Sequence, residues 1–376
     1  MLTRRRQKNT NIIYSNTAIS MEPIKRLTDR MIHPDQNILS ALKTMDELAV
    51  KSLAVIASDN KLDGILSIGD IQRAIIGGIN LNESVKKILR SYPRILLPGQ
   101  NADEAKEMMV KHRMEFLPVV SLESKEIEYV YFWSDFFPDN VIGPAKQFDL
   151  PVVIMAGGMG TRLKPLTNVI PKPLIPIGEK TIIEHIFDRF TWHGCSRFFI
   201  SVNYKAELIE YYLKEQNLNF EIEYLKEMQP LGTAGSLSLL KGKINSAFFV
   251  SNCDIIIDQD YSEILEYHKQ NNNELTIVAA MKHFPIPYGI VEIGENGSLE
   301  ALTEKPELTF MINSGMYILE PHLLSQIPSN EFFHITDLIR NIQMRKGNIG
   351  VFPVSEKSWM DVGSWTEYIE QLKLSK

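Results

Sequence analysis

The chain has 376 residues, 44% hydrophobic and 23% charged, the balance of a globular protein long enough for two or three domains with separate cores. A net charge of −6 leaves no basic surplus to neutralise a nucleic-acid backbone, although nucleotide binding needs only a few local cations. No apolar run approaches the roughly 18 residues of a membrane span. Cys195 and Cys253 form neither a disulfide framework nor a zinc spacing, which points to buried or incidental thiols in a reducing, cytoplasmic compartment.

Residues 1–20 include Arg4-Arg5-Arg6 without the apolar stretch of a signal peptide, and read as a disordered basic tail. Met21 opens the patterned sequence and is a second candidate start. Residues 21–138 contain an internal repeat with an offset of 64 positions: Pro34-Asp35-Gln36-Asn37 is echoed at Pro98-Gly99-Gln100-Asn101, and Leu53-Ala54-Val55-Ile56 at Leu117-Pro118-Val119-Val120. Each copy carries a helical pattern between these anchors (Ile38, Ala41, Leu42 and Met45; then Ala102, Ala105 and Met109). A short strand, a polar turn and another strand follow. Two copies of one unit are expected to bury each other's apolar faces.

Residues 139–149 contain proline and glycine and read as a linker; a further domain covers 150–376. There, apolar β-rich runs (Pro151–Met155, Arg197–Val202, Ala247–Ser251, Leu275–Met281) alternate with helical spacing at Thr181–Trp192, Lys205–Glu215 and Tyr261–Gln270. The alternation predicts an α/β fold, a Rossmann-like, mostly parallel sheet with helices on both faces. Ligands of such sheets sit at the carboxyl ends of the strands. The first strand ends there in Met155-Ala156-Gly157-Gly158-Met159-Gly160-Thr161-Arg162. Glycines let backbone N–H groups close around phosphate oxygens, and Arg162 and Lys172 add fixed positive charge. The loop is neither a dinucleotide fingerprint, which needs glycine or alanine where Leu163 stands, nor a Walker A loop, which needs Gly-Lys-Ser/Thr.

Residues 155–177, MAGGMGTRLKPLTNVIPKPLIPI, resemble the signature of the sugar-1-phosphate nucleotidyltransferases at nearly every position. Further resemblances follow in order to the end of the chain. The resemblance implies transfer of a nucleoside monophosphate from an NTP to a sugar 1-phosphate, with release of pyrophosphate. It assigns Arg162 to the leaving phosphates, Lys172 to the α-phosphate region, and the backbone of Ala156, Gly157 and Gly158 to the base and phosphates. Gln229-Pro230-Leu231-Gly232-Thr233-Ala234-Gly235 looks like the loop that closes over the base, with Gln229, Gly232 and Thr233 as its contacts. Glu304-Lys305-Pro306 resembles the segment in which Glu304 meets sugar hydroxyls and Lys305 the sugar phosphate. Asn313-Ser314-Gly315 resembles the sugar-binding N-x-G. Asp254, closing Ser251-Asn252-Cys253-Asp254, and Asp361, in Trp359-Met360-Asp361-Val362-Gly363, match the two aspartates that hold Mg²⁺; Cys253 departs from the usual glycine.

The N-terminal repeat is similar to a tandem, α+β pair of CBS domains, which commonly bind adenosine nucleotides between the copies. Gly64-Ile65-Leu66-Ser67-Ile68-Gly69-Asp70 fits the motif whose hydroxyl contacts phosphate and whose aspartate holds ribose, so Ser67 and Asp70 are the candidates for a regulatory purine nucleotide. In the second copy Asp135 matches Asp70, but Phe132 replaces the hydroxyl and Tyr129 replaces Gly64, leaving at most one complete site. A purely structural or dimerising module is the alternative. The domain combination resembles bacterial guanylyltransferases acting on glucosamine- or mannose-type 1-phosphates for surface glycans, and implies a homo-oligomer. Uridylyl or thymidylyl transfer, or a nucleotide-sensing protein without activity, are the rival readings.

Overall fold

The computed structural model describes residues 25–57, 61–137 and 146–374, with 370–374 as backbone only. The expected tail, the candidate start at Met21 and most of the expected linker lie outside the described residues. The chain forms two compact units, Met1–Ile142 and Gly143–Lys376.

In the first unit the 64-residue echo is an echo of structure. β1 (Met31–Ile32), α1 (Ile38–Leu48), β2 (Ser52–Ile56), β3 (Leu62–Ser67) and α2 (Ile68–Ile76) form one copy. α3 (Ala102–His112), β4 (Phe116–Val120), β5 (Ile127–Phe132) and the single turn α4 (Trp133–Phe136) form the other. Asn37 and Asn101 hold equivalent places, and each side chain accepts a backbone N–H to start its helix. Ile32 pairs in parallel with Val55, and Leu96 with Val119, so the counterpart of β1 has shrunk to one bridge. The copies do bury each other's apolar faces: Leu27, Ala54 and Leu62 share a core with Phe116, Val120, Val130 and Phe132. Phe132, 5% exposed, lies in that core where the first copy has Ser67, and the Arg26 guanidinium covers its ring at 4.2 Å.

The second unit begins with β6 (Val152–Met155), the ribbon strands β7 (Pro176–Ile177) and β8 (Lys180–Thr181), α5 (Ile182–Trp192), β9 (Arg197–Val202), α6 (Ala206–Glu215) and β10 (Glu221–Lys226). It continues with β11 (Phe248–Asn252), β12 (Ile255–Ile257), α7 (Tyr261–Gln270), β13 (Leu275–Pro285), β14 (Ile290–Ile293), β15 (Leu299–Thr303) and β16 (Glu307–Leu319). α8 (Ile335–Met344), β17 (Ile349–Val354), β18 (Trp359–Asp361) and α9 (Trp365–Leu374) complete it. Seven strands make the central sheet in the order β10-β9-β6-β11-β16-β13-β17. β16 alone runs against both its neighbours; the other pairings are parallel.

Successive side chains of a strand face opposite ways, and here both faces are covered. Val152 and Ile154 enter a core with Ile183 and Phe187 of α5 and Ile264 of α7. Val153 enters a second core with Leu338 and Ile342 of α8. Phe148 stacks against His193 and Phe249 at 5.4 and 5.6 Å, so packing starts two residues ahead of the expected boundary at 150. β13 outruns the expected Leu275–Met281 by four residues, because its far end pairs with β16 outside the apolar core that marked it in sequence. β6, β9, β10 and β11 all point one way, so the loops after them gather at one edge.

Candidate active site

The glycine loop leaves β6 with Ala156 N–H donating to Ser201 O at 2.9 Å. Gly160 adopts φ +62°, and a Cβ there would stand 2.8 Å from Thr167 Cγ2 and 3.4 Å from Lys172 Cβ. Glycine is therefore required twice over, for a left-handed turn and for the approach of the turn that carries Lys172. Pro171 and Pro173 flank that lysine in a tight turn, Lys172–Leu174, and fix its direction.

Lys172 and Asp254 form an ion pair with side chains only 9% and 13% exposed. Asp361 joins them through a two-stranded ribbon: β12 pairs antiparallel with β18, Ile255 opposite Asp361, and Val362 N–H donates to Asp254 O at 2.8 Å. Burial and the nearby carboxylates of Asp254 and Glu367 raise the Asp361 carboxyl above its ordinary range. Gly363 N–H, donating to Asp361 Oδ1 at 2.7 Å, and Lys172 oppose the shift without cancelling it. The Arg162 guanidinium lies against the same turn, Nη2 3.0 Å from where a Gly363 Cβ would be. Four expected site residues, Arg162, Lys172, Asp254 and Asp361, are thus brought together from three distant segments.

The donor set suits a divalent cation. Two carboxylates, Asp254 and Asp361, lie near each other, and hard oxygen ligands are what Mg²⁺-like ions take. Among the described residues no group of three or more His, Cys, Asp or Glu is placed to hold a metal unaided. Two protein oxygens supplemented by phosphate oxygens and water is the arrangement these residues fit. Cys253, where glycine was expected, turns its side chain into the core beside Ile255, and burial pushes its thiol up to about 12. It is a packing residue.

Asn313-Ser314-Gly315 forms an irregularity in the β13/β16 pairing. Gly315, at φ +88°, lies so close to Asn252 that a Cβ would meet its Nδ2 at 2.5 Å. The segment therefore abuts the strand end that carries Asp254. Asn313 is exposed but donates to Tyr317 Oη at 2.7 Å and accepts Gly315 N–H at 3.1 Å, so a sugar hydroxyl would share its amide. Glu304 and Lys305 are exposed on the turn into β16, with Glu304 Oε2 2.9 Å from the Cβ position of Gly289.

The 229–235 loop is fastened to the start of α8. Thr233 Oγ1 accepts Ile335 N–H at 3.0 Å, Gln229 Nε2 donates to Asn330 O at 3.0 Å, and Gly232 packs on Phe333 O. Thr233 thus uses its hydroxyl oxygen at the start of α8 while remaining exposed. Sequence reasoning missed Glu227. Its half-buried carboxylate accepts the Ser201 hydroxyl on Oε1 and Leu231 N–H at 3.0 Å on Oε2. A Cβ on Gly157 would lie 2.7 Å from Oε1, so the carboxylate borders both the glycine loop and the 229–235 loop. The available signal was position: Glu227 follows β10 at the carboxyl edge where ligands bind.

In the first unit, Ser67 and Asp70 form the capping box of α2. Asp70 Oδ2 accepts both Ser67 N–H, at 2.9 Å, and the Ser67 hydroxyl; Oδ1 accepts Arg90 Nε at 2.9 Å and an Arg73 guanidinium nitrogen. Burial opposes its ionisation, but these donors hold the carboxyl below its ordinary value. Arg94 is pushed down by burial and by the neighbouring charges of Arg90 and Arg73. Three guanidinium groups thus crowd one carboxylate whose lone pairs are taken.

A profile of the nucleotidyl transferase family matches residues 151–375, and one of the CBS domain matches residues 23–77. A probable mannose-1-phosphate guanylyltransferase 1 from Oryza sativa subsp. japonica is 33% identical over 234 residues, 60% of this chain and 64% of its own. A mannose-1-phosphate guanyltransferase from Hypocrea jecorina is 36% identical over 231 residues, 58% of this chain and 62% of its own. The chain thus spans somewhat under two thirds of these relatives. A solved structure, HddC from Yersinia pseudotuberculosis, covers 60% of this chain and 100% of its own at 28% identity, with a TM-score of 0.47. Among the described residues no helix is long and apolar enough to cross a membrane.

Proposed function

The chain belongs to the nucleotidyl transferase family, and on that footing we propose that its second unit transfers GMP from GTP to a sugar 1-phosphate, mannose 1-phosphate foremost. A phosphate oxygen of the sugar attacks the α-phosphorus, the bond to the β-phosphate bridge breaks, and pyrophosphate leaves with the electron pair. The observation that carries this reading is the meeting of Arg162, Lys172, Asp254 and Asp361 at the strand ends beside the glycine loop. The relatives' names support the acceptor.

A phosphate monoester has its second pKa near ~6, so the nucleophile is ionised at neutral pH and needs no general base. The chain's task is in-line positioning and charge. Arg162 holds the leaving phosphates, Lys172 neutralises charge developing at the α-phosphorus, and Lys305 takes the acceptor's phosphate. Glu304, Asn313 and Gly315 take the sugar. Asp254 and Asp361 would hold a Mg²⁺ ion, which would supply further charge neutralisation when bound.

Glu227 supports guanine. A carboxylate is an acceptor only, and each of its oxygens keeps a lone pair beyond the bonds from Ser201 and Leu231. Guanine offers adjacent N1–H and N2–H donors to such a group; uracil, thymine and adenine offer no such pair. The base contact expected of Gln229 and Thr233 is thereby reassigned in the main to Glu227, with Ala156, Gly157, Gly158 and Gly232 bounding the pocket by backbone.

The first unit is proposed to bind a regulatory purine nucleotide. The supporting observation is the excess positive charge of Arg73, Arg90 and Arg94 around Asp70, which suits phosphates. Asp70 reaches a ribose only by giving up a present partner. The catalytic reading is tested by incubating each of GTP, ATP, UTP, CTP and dTTP with mannose, glucosamine and N-acetylglucosamine 1-phosphates and following pyrophosphate release. GTP with mannose 1-phosphate is expected to be fastest. A leading rate with UTP or dTTP would transfer the assignment to the sister activities, and no release with any pair would leave a sensing protein.

A further inference from the structure

The signature between β6 and β7 has to hold Arg162 and Lys172 in register, yet it is built of three short turns, Thr161–Leu163, Leu166–Asn168 and Lys172–Leu174, with no regular element. Such a segment depends for its shape on its own turn bonds, on the buried Leu163 and Ile175, and on bonds to its surroundings. Tyr204 Oη donates to Thr167 O at 3.2 Å and Lys205 Nζ to Val169 O at 2.8 Å, which secures the middle. Both flanks are secured by one helix. Trp365 Nε1 donates to Lys164 O at 2.8 Å, and Tyr368 Oη donates to Pro176 O at 3.1 Å.

We propose that α9 is a positioning clasp for the phosphate loop, acting through Trp365 and Tyr368. Three residues apart, the two lie on one face of the helix, with ring centroids 6.1 Å apart. Trp365 is 37% exposed and so only partly held by packing, whereas Tyr368, 7% exposed, also fills the core. Directly ahead of α9, Gly363 leaves room for the Arg162 guanidinium, which a Cβ there would meet at 3.0 Å, and its N–H donates to Asp361 Oδ1. The helix thus follows directly on the turn that holds Asp361 and is bonded to both flanks of the loop that carries Arg162 and Lys172. Neither residue is placed to touch substrate; both are positioning residues. The functional consequence rests on the reading of residues 155–177 as the nucleotide phosphate loop.

The test uses the full chain and the variants Trp365→Phe, Tyr368→Phe, the double variant and Trp365→Ala. At 368 phenylalanine keeps the ring and removes only the hydroxyl; at 365 it keeps an aromatic ring, smaller than the indole, and removes the donor. Hydrogen–deuterium exchange is read on nucleotide-free protein, alongside GTP affinity by calorimetry and KM and kcat with each substrate. Each lost bond should speed exchange across 160–176 and weaken GTP binding about two- to ten-fold. KM for the sugar phosphate and the thermal midpoint should hold near the parental values, and Trp365→Ala should add little to Trp365→Phe. Parental exchange across 160–176 in the double phenylalanine variant would overturn the clasp. So would an effect confined to Trp365→Ala with exchange raised throughout the unit, since bulk and not the bond would then matter. A parent that binds no GTP would refute the nucleotide reading alone, because the exchange measurement still decides whether α9 holds the loop.

Discussion

Asp361 carries a carboxyl whose surroundings disfavour its charge: burial first, then Asp254 and Glu367. A carboxyl raised in the folded state binds protons more tightly there than in the unfolded chain, so its contribution to stability falls as pH rises through the carboxylate range. Asp361→Asn keeps an oxygen for Gly363 N–H and removes the charge. In chelator, this variant should unfold at a temperature equal to or above the parent's, while pyrophosphate release with Mg²⁺ falls on the order of 10²-fold or more. Near-parental, Mg²⁺-dependent turnover would remove Asp361 from the cation site. Glu227→Gln makes a different point. Replacing one acceptor by a donor should reduce GTP selectivity over UTP by about 1–3 kcal/mol, the usual worth of a paired base contact. Competition between the two nucleotides measures it, and an unchanged ratio would return base choice to the 229–235 loop.

At the level of elements, Glu274 at the approach to β13 ties that strand to the segment ahead of β17. It accepts the Arg345 guanidinium, His322 Nε2 at 2.7 Å and Asn348 N–H at 3.1 Å. The Arg345 bonds foremost lower its pKa from 4.5 to about 2. A depressed carboxylate stabilises the fold above its unfolded pKa and loses that contribution as pH falls toward the folded value. Urea unfolding of the parent and Glu274→Gln should therefore differ most near neutrality and converge as pH drops from 4.5 to about 2; a constant gap would mean that charge is not the cause. The same scale shows what the sequence makes legible. Periodicity located α5, α7 and β9 almost to the residue, and the repeat placed a helical pattern after each of its anchors, because burial is local chemistry. The reversal of β16 left no trace, since side-chain alternation carries no strand direction. The pairing of Lys172 with Asp254, 82 positions apart, is legible only through the motif match, and Glu227 was overlooked because its partners Ser201 and Gly157 reach it only through the sheet.

For the whole molecule, two compact units imply separable duties. Where to cut follows from packing. Gln147 Nε2 donates to Trp192 O at 3.1 Å, and Phe148 stacks on His193 and on Phe249 of the core formed with α5 and α7, so a chain beginning at 150 would open that core. One beginning at Gly143 keeps both. It should fold and release pyrophosphate within about two-fold of the full chain, because Arg162, Lys172, Asp254, Asp361 and Glu227 all lie within it. A purine nucleotide at the first unit can change catalysis only by binding one state of the enzyme better than another, and couplings of this kind are typically about 5- to 150-fold. Added nucleotide should then alter the rate of the full chain and leave the shortened chain unaffected beyond competition at the active site. Asp70→Ala is a poor probe of that site, since it strips the cap of α2 and strands Arg73 and Arg90, a loss of about 1–3 kcal/mol in the unit itself. Arg94→Gln removes one charge of the cluster without touching the capping box. Nucleotide titration should show weakened binding to the first unit in this variant, with basal turnover at the parental rate. Equal titrations for parent, Arg94→Gln and the shortened chain would put all nucleotide binding in the second unit and leave the repeat as a structural or dimerising module.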